Sequence, residues 1–114
     1  MPQPRPLPAD FAAAYRERMA ELGFSEKPAA EWDGKAPSFS AKVSQPSPYA
    51  DAFIAQMHLR PGDTLLDVGC GPGTLALRLA PKVQHLYGLD YSSAMLRCLE
   101  ANAQAAGLAN ITPI

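Results

Sequence analysis

The stretch Gly69-Cys70-Gly71-Pro72-Gly73 follows directly on the apolar run Thr64-Leu65-Leu66-Asp67-Val68, and Asp90 lies 21 residues beyond its first glycine. A short apolar run of this kind reads as a buried strand of a parallel sheet. The glycines supply backbone that takes positive φ and comes close to a ligand. Thr74 to Ala80, with Leu75, Leu77 and Leu79, then reads as a helix closed by Pro81, and Val83 to Leu89 as a second strand ending at Asp90. Ser92 caps a further helix in which Met95, Leu96, Leu99 and Ala103 recur at helical spacing, Gly107 stops it, and Asn110 to Ile114 begins a third strand. Strands alternating with helices predict an α/β fold built on an open, mostly parallel sheet with right-handed crossovers.

The chain before this unit is different in kind. Eight of the 12 prolines precede residue 50, whereas six of the eight glycines follow residue 60. Two regions are therefore expected: a helical, Pro-rich arm over residues 1–46 and the β-α-β unit over residues 47–114. In the arm, Phe11, Tyr15, Met19 and Leu22 fall on one face of a helix that Asp10 caps and Gly23 ends. From Glu26 to Ser47, Pro28, Pro37 and Pro46 predict short helical turns and loops. Trp32 and Phe39 read as anchors holding the arm to a larger body; the other reading is that part of the arm closes over a ligand as a lid. Ser47-Pro48 starts a helix with Tyr49, Phe53, Ile54 and Met57 on one face, before Arg60-Pro61-Gly62-Asp63 turns the chain into the first strand.

The balance of charge narrows the partners. Ten Lys and Arg against 11 Asp and Glu give a net charge of −1 over 114 residues, without a block of like charge, so neither nucleic acid nor a membrane surface is expected as a partner. No apolar run reaches the roughly 18 residues of a membrane helix, and the prolines at positions 2, 4, 6 and 8 do not form a secretory signal. Cys70 and Cys98 are too few for a disulfide scaffold, which makes a reducing cytoplasm the expected compartment. Neither they nor His58 and His85 have the spacing of a metal site. Cys70 has no histidine near it in sequence and reads as a small residue filling the glycine loop rather than a nucleophile.

Ligands of such sheets bind where the loop after the first strand meets the first helix. A dinucleotide fingerprint is G-x-G-x-x-G, but here the third glycine comes one residue early and Thr74 holds its place. Asp67, two residues before the first glycine, would repel a pyrophosphate and attract a cation. Asp90 stands at the spacing from which an acidic residue binds ribose hydroxyls. S-adenosylmethionine has matching parts: a ribose diol, an ammonium, a sulfonium, and a carboxylate suited to exposed N–H groups at a helix N-terminus.

The two segments Leu65-Leu66-Asp67-Val68-Gly69-Cys70-Gly71-Pro72-Gly73 and Tyr87-Gly88-Leu89-Asp90-Tyr91-Ser92-Ser93-Ala94-Met95-Leu96 resemble the first and second motifs of the class I S-adenosylmethionine-dependent methyltransferases, in their small-molecule branch. The resemblance implies a partial Rossmann-like fold with strands in the order 3-2-1 and a cofactor site in which Gly69, Cys70, Gly71 and Gly73 form the loop. It also implies that Asp67 faces the cofactor's amino group, that Asp90 binds the ribose hydroxyls and that Met95 and Tyr91 line the adenine side. The segment from Trp32 to Phe39, followed by Ser47-Pro48-Tyr49, is similar to the lead-in of many such enzymes and makes Tyr49 a candidate cofactor contact.

On this resemblance the chain reads as the N-terminal half of an enzyme, its strands stopping short of the acceptor-binding segment, so no catalytic residue is named. The implied reaction is methyl transfer to a small-molecule acceptor. The open edge of the first strand invites self-association. A non-catalytic cofactor-binding or association module is the alternative, and a nicotinamide-dependent reductase is opposed by the early third glycine. The bland readings leave Asp67 as a strand-end carboxylate, Asp90 as a local cap and the glycines as a tight turn.

Overall fold

The computed structural model describes residues 9–114; the alternating prolines at 2 to 8 lie outside them. Helix α1 (Phe11–Glu21) starts where the Asp10 carboxylate accepts the Ala13 N–H at 2.9 Å and ends before Gly23, whose φ is +78°. Its apolar side stays largely in solvent, with Phe11 and Tyr15 both exposed. Helix α2 (Ala29–Ala41) replaces the turns and loops expected from the prolines. Pro28 precedes its first turn, and Pro37 sits inside it despite the N–H it cannot donate. Tertiary packing outweighs that local cost: Ala36 is buried, and α2 lies against helix α5 (Ser93–Ala105).

Helix α3 (Pro48–Ala55) begins as the sequence indicates, with the Ser47 hydroxyl accepting the Ala50 N–H at 3.2 Å. Its expected apolar face divides. Ile54, with Met57 just beyond the helix, packs on the core, whereas Tyr49 and Phe53 are exposed. Strand β1 (Thr64–Val68) then runs parallel to β2 (His85–Leu89), with Leu65 opposite Leu86 and Asp67 opposite Gly88. Strand β3 (Ile111–Pro113) pairs in parallel with β2, so the order is 3-2-1 as expected.

Between β1 and β2, helix α4 spans only Ala76–Leu79 and passes into a 3-10 turn over Ala80–Lys82. Pro81 therefore does not close the helix; it tightens it, because its ring disrupts α-type bonding to the preceding turn. Arg78 of α4 ties down the connection after α2, donating to the carbonyls of Val43 at 3.2 Å and Gln45 at 2.7 Å. Helix α5 is capped by Ser92, whose hydroxyl accepts the Met95 N–H at 3.2 Å, and ends before Gly107.

The core gathers Cys70, Ala76, Leu79, Leu86 and Leu99, with Leu65, Leu75, Leu96 and Ile111 around them. All of it lies on one face of the sheet. Leu66 and Val68 are 58% and 72% exposed, and Tyr87 and Leu89 flank them on the same uncovered face. β1 is thus half-buried, alternating in and out, rather than buried on both faces, because among the described residues the helices pack on the Leu65 and Leu86 side alone.

Candidate functional site

A cavity of about 510 Å³ opens at the carboxyl ends of β1 and β2. Its wall takes Asp67 from β1, Gly69, Cys70 and Gly71 from the loop, Asp90 and Tyr91 from the end of β2, and Met95 from the first turn of α5. Trp32 and Phe39 of α2 and Tyr49 of α3 complete it. Eight of the nine residues singled out in the sequence therefore share one cavity.

Gly73 is the ninth, and it faces the protein. At φ +106°, a Cβ there would lie 2.9 Å from Leu99 Cδ1 and 3.0 Å from Leu77 Cγ. The missing Cβ lets the loop pack closely against Leu77 and against Leu99 of α5. Gly88 does the same from β2, where a Cβ would meet Leu99 Cδ2 at 2.6 Å and Cys70 Sγ at 3.0 Å.

The loop's amides are mostly occupied from within. Gly69 and Cys70 both donate to the Leu89 carbonyl, at 2.7 and 3.0 Å, and Gly73 donates to Cys70 O at 3.2 Å. The Gly71 N–H donates to Asp90 Oδ2 at 2.9 Å. These four N–H groups are engaged within the protein, and the helix that follows, α4, is only four residues long. The loop is a fixed backbone ledge, braced from behind by Asn102 of α5, which donates to the Pro72 carbonyl at 2.9 Å and to Ser40 Oγ at 3.1 Å.

The two acids differ sharply. Asp90 accepts two backbone N–H groups, Gly71 on one oxygen and Ser92 on the other, at 2.9 Å each. Each of its oxygens retains a lone pair for a second donor. Asp67 has no such company: its Oδ2 is buried without a hydrogen-bond partner. Burial first, and the nearby Asp90 second, raise the Asp67 carboxyl above its ordinary range. No Lys or Arg lines the cavity among the described residues. The wall is therefore largely apolar, with two acids and no basic side chain beside them, a setting that repels anions and receives a cation or a hydroxyl donor.

Cys70 is buried, and its thiol is pushed up to about 12 by burial, with Asp67 and Asp90 adding to it. It fills the loop and is not a nucleophile at neutral pH. Met95 is buried beneath Gly71, its sulfur 3.9 Å from where a Cβ would stand. Tyr91 is exposed and points its hydroxyl to the arm, donating to the Lys27 carbonyl at 2.8 Å. Tyr49, also exposed, stands at the rim.

Three residues of the arm join the site: Trp32 and Phe39, which the sequence offers as anchors or as part of a lid, and Asp33, which it does not single out. Trp32 and Phe39 stack edge-on with centroids 6.4 Å apart and form the wall on the arm side, with Phe39 exposed rather than buried as an anchor. Asp33 accepts from Ser92 Oγ at 2.6 Å and the Ala94 N–H at 3.2 Å. No spacing rule reveals that contact, since 59 residues separate Asp33 from Ser92. His85 bonds Thr112 Oγ1 through Nε2 at 2.8 Å, on the sheet and away from the cavity. No group of metal-ligating side chains forms among the described residues, and no described helix is long and apolar enough to cross a membrane.

Residues 65–114 match the family described as "Methyltransferase domain". An uncharacterized protein of Haemophilus influenzae is 36% identical over 104 residues, which is 90% of this chain and 39% of that protein. A 2-phytyl-1,4-naphtoquinone methyltransferase of Trichormus variabilis is 49% identical over 49 residues, 40% of this chain and 21% of that one. An uncharacterized RNA methyltransferase of Chlorobaculum tepidum is 32% identical over 72 residues, 63% of this chain and 15% of that protein. Among solved structures, the YcgJ protein of Bacillus subtilis superposes with a TM-score of 0.55 at 29% identity, over 57% of this chain and 28% of that one. The chain spans well under half the length of these relatives. The glycine ledge and the parallel 3-2-1 sheet agree with these matches: residues 65–114 carry a methyltransferase domain of Rossmann-like fold, similar to the class I S-adenosylmethionine-dependent methyltransferases.

Proposed function

We propose that this chain supplies the cofactor-binding part of an enzyme that transfers a methyl group from S-adenosylmethionine to a small-molecule acceptor. The observation that carries the reading is the buried, unpartnered Asp67 Oδ2 in a cavity wall without basic side chains. A carboxylate so placed costs stability unless a donor reaches it, and the cofactor's ammonium is such a donor. Asp90, with a lone pair left on each oxygen, would accept the two ribose hydroxyls. Gly69 and Gly71 would let the cofactor's methionine part lie against bare backbone beside the small side chain of Cys70. Tyr91 and Met95 would border the adenine, and Tyr49 would cover the rim.

When bound, the cofactor supplies an electrophilic methyl group on a sulfonium. The chain's own residues hold and desolvate it: two carboxylates fix its charged and hydroxyl groups, and Trp32 and Phe39 exclude water from the arm side. In this reading residues 1–46 act as the arm and 47–114 as the cofactor unit, in a reducing cytoplasm where both cysteines stay free. The net charge of −1 and the absence of a basic block support a small acceptor over RNA.

Calorimetry with S-adenosylhomocysteine tests the cofactor reading. We expect micromolar binding by the parent chain and a large loss in Asp67→Asn and in Asp90→Ala. Absence of binding in the parent protein would sink the reading.

A further inference from the structure

Four residues from three separate stretches of chain form one unbroken run of hydrogen bonds. Asp33 Oδ1 on α2 accepts from Ser92 Oγ at 2.6 Å, the Ser92 N–H donates to Asp90 Oδ1 at 2.9 Å, and Asp90 Oδ2 accepts the Gly71 N–H at 2.9 Å. Ser92 is fully buried. It already caps α5 through the Met95 N–H, so the contact to Asp33 adds something a local cap does not require. That contact joins the arm to the carboxylate of the cavity. Asp33 is adjacent to Trp32, which lines the same cavity.

We propose that Asp33 is a positioning residue for the cofactor cavity: it latches α2 onto the start of α5 and, through Ser92, fixes the orientation of the Asp90 carboxylate. The arm and the cofactor site then assemble as one unit. A carboxylate held on both oxygens before the ligand arrives loses less freedom when it binds. Asp33 also places negative charge at the N-terminus of α5, where the helix dipole favours it, and this keeps the latch closed. The inference rests on the proposed function, in which Asp90 receives the cofactor hydroxyls.

Trp32 is the single tryptophan of the chain, so its emission reports the state of α2 beside the cavity. The experiment titrates S-adenosylhomocysteine into the parent chain and into Asp33→Ala, Asp33→Asn and Ser40→Ala, following Trp32 emission, acrylamide quenching and calorimetric affinity. Asp33→Ala is expected to weaken binding about tenfold, to shift Trp32 emission to the red and to raise its quenching. Asp33→Asn keeps an acceptor for Ser92 and is expected to stay within about threefold of the parent. Ser40→Ala removes a separate bond between α2 and Asn102 of α5 without touching the run, and is expected to bind as the parent does. Ser92→Ala cuts the same link from the other side and serves where Asp33→Ala does not fold. Parent-like affinity in whichever of these two is folded by circular dichroism overturns the latch. A parent chain that binds no S-adenosylhomocysteine instead overturns the proposed function on which the latch rests.

Discussion

The Gly71 N–H donates to Asp90 Oδ2 at 2.9 Å, tying the end of β2 to the loop that follows β1. With the Ser92 N–H on the other oxygen, this carboxylate is a structural bracket as well as a ligand site. Asparagine offers one carbonyl oxygen to these two donors and turns its amide against the other. Asp90→Asn is therefore expected to lower stability by about 1–2 kcal/mol in urea melts. S-adenosylhomocysteine affinity is expected to fall about tenfold, from one lost hydrogen bond to a charged group at about 1.5 kcal/mol.

Asp67 gives the opposite sign for stability. Burial and Asp90 raise its carboxyl in the folded chain, so folding favours the protonated form. The stability tied to this group is complete below the unfolded carboxyl's range and is lost as pH rises through the raised folded value. In the ligand-free protein Asp67 Oδ2 is buried without a hydrogen-bond partner. Asp67→Asn is expected to be more stable than the parent at pH 7, by about 1 kcal/mol, and to bind S-adenosylhomocysteine more weakly. Thermal melts from pH 7 down to pH 3 should show the advantage shrinking as the parent's carboxyl takes up its proton.

Gly88 tests the packing that sets the cavity floor. A Cβ there would stand 2.6 Å from Leu99 Cδ2 and 3.0 Å from Cys70 Sγ, so the fully buried Leu99 would have to shift. Gly88→Ala is expected to cost about 1–3 kcal/mol. Gly62 has open space where its Cβ would stand, so Gly62→Ala should fall within about 0.5 kcal/mol of the parent. Urea midpoints for the pair separate overpacking from a general intolerance of substituted glycines.

The β-α-β frame was legible because local signals and tertiary structure agree: Ser92 caps where a serine should, and Gly107 at φ +69° stops α5 where a glycine should. The cavity was legible because sheet topology brings Asp67, the loop and Asp90 together without help from the arm. Helix α2 was not, since Pro37 argues locally against a helix and the packing that overrides it comes from α5, more than 50 residues away. Gly73 was assigned to the ligand because a positive φ serves a close ligand approach and a close side-chain approach equally well. The position of Leu99 shows the second. The half-exposed β1 escaped for a related reason: Leu66 and Val68 carry the composition of a buried strand, and sequence does not say which face the helices cover.

That uncovered face makes the last prediction. β1 pairs only with β2 among the described residues, leaving its outer edge unpaired, and Leu66, Val68, Tyr87 and Leu89 expose apolar surface beside it. An unpaired strand edge next to an apolar face is a template for another chain. The 114-residue chain by itself is expected to self-associate with rising concentration, visible as an increasing mass in light scattering after gel filtration. Val68 is 72% exposed, so Val68→Lys removes little packing and places a charge on the sticky surface. It is expected to shift the chain toward monomer with its melting midpoint little changed, while Thr64→Lys at the start of the same strand, farther from the apolar cluster, should have the weaker effect. A parent chain that stays monomeric at about 1 mM, well above the concentrations at which exposed strand edges usually associate, would show that this edge is already protected.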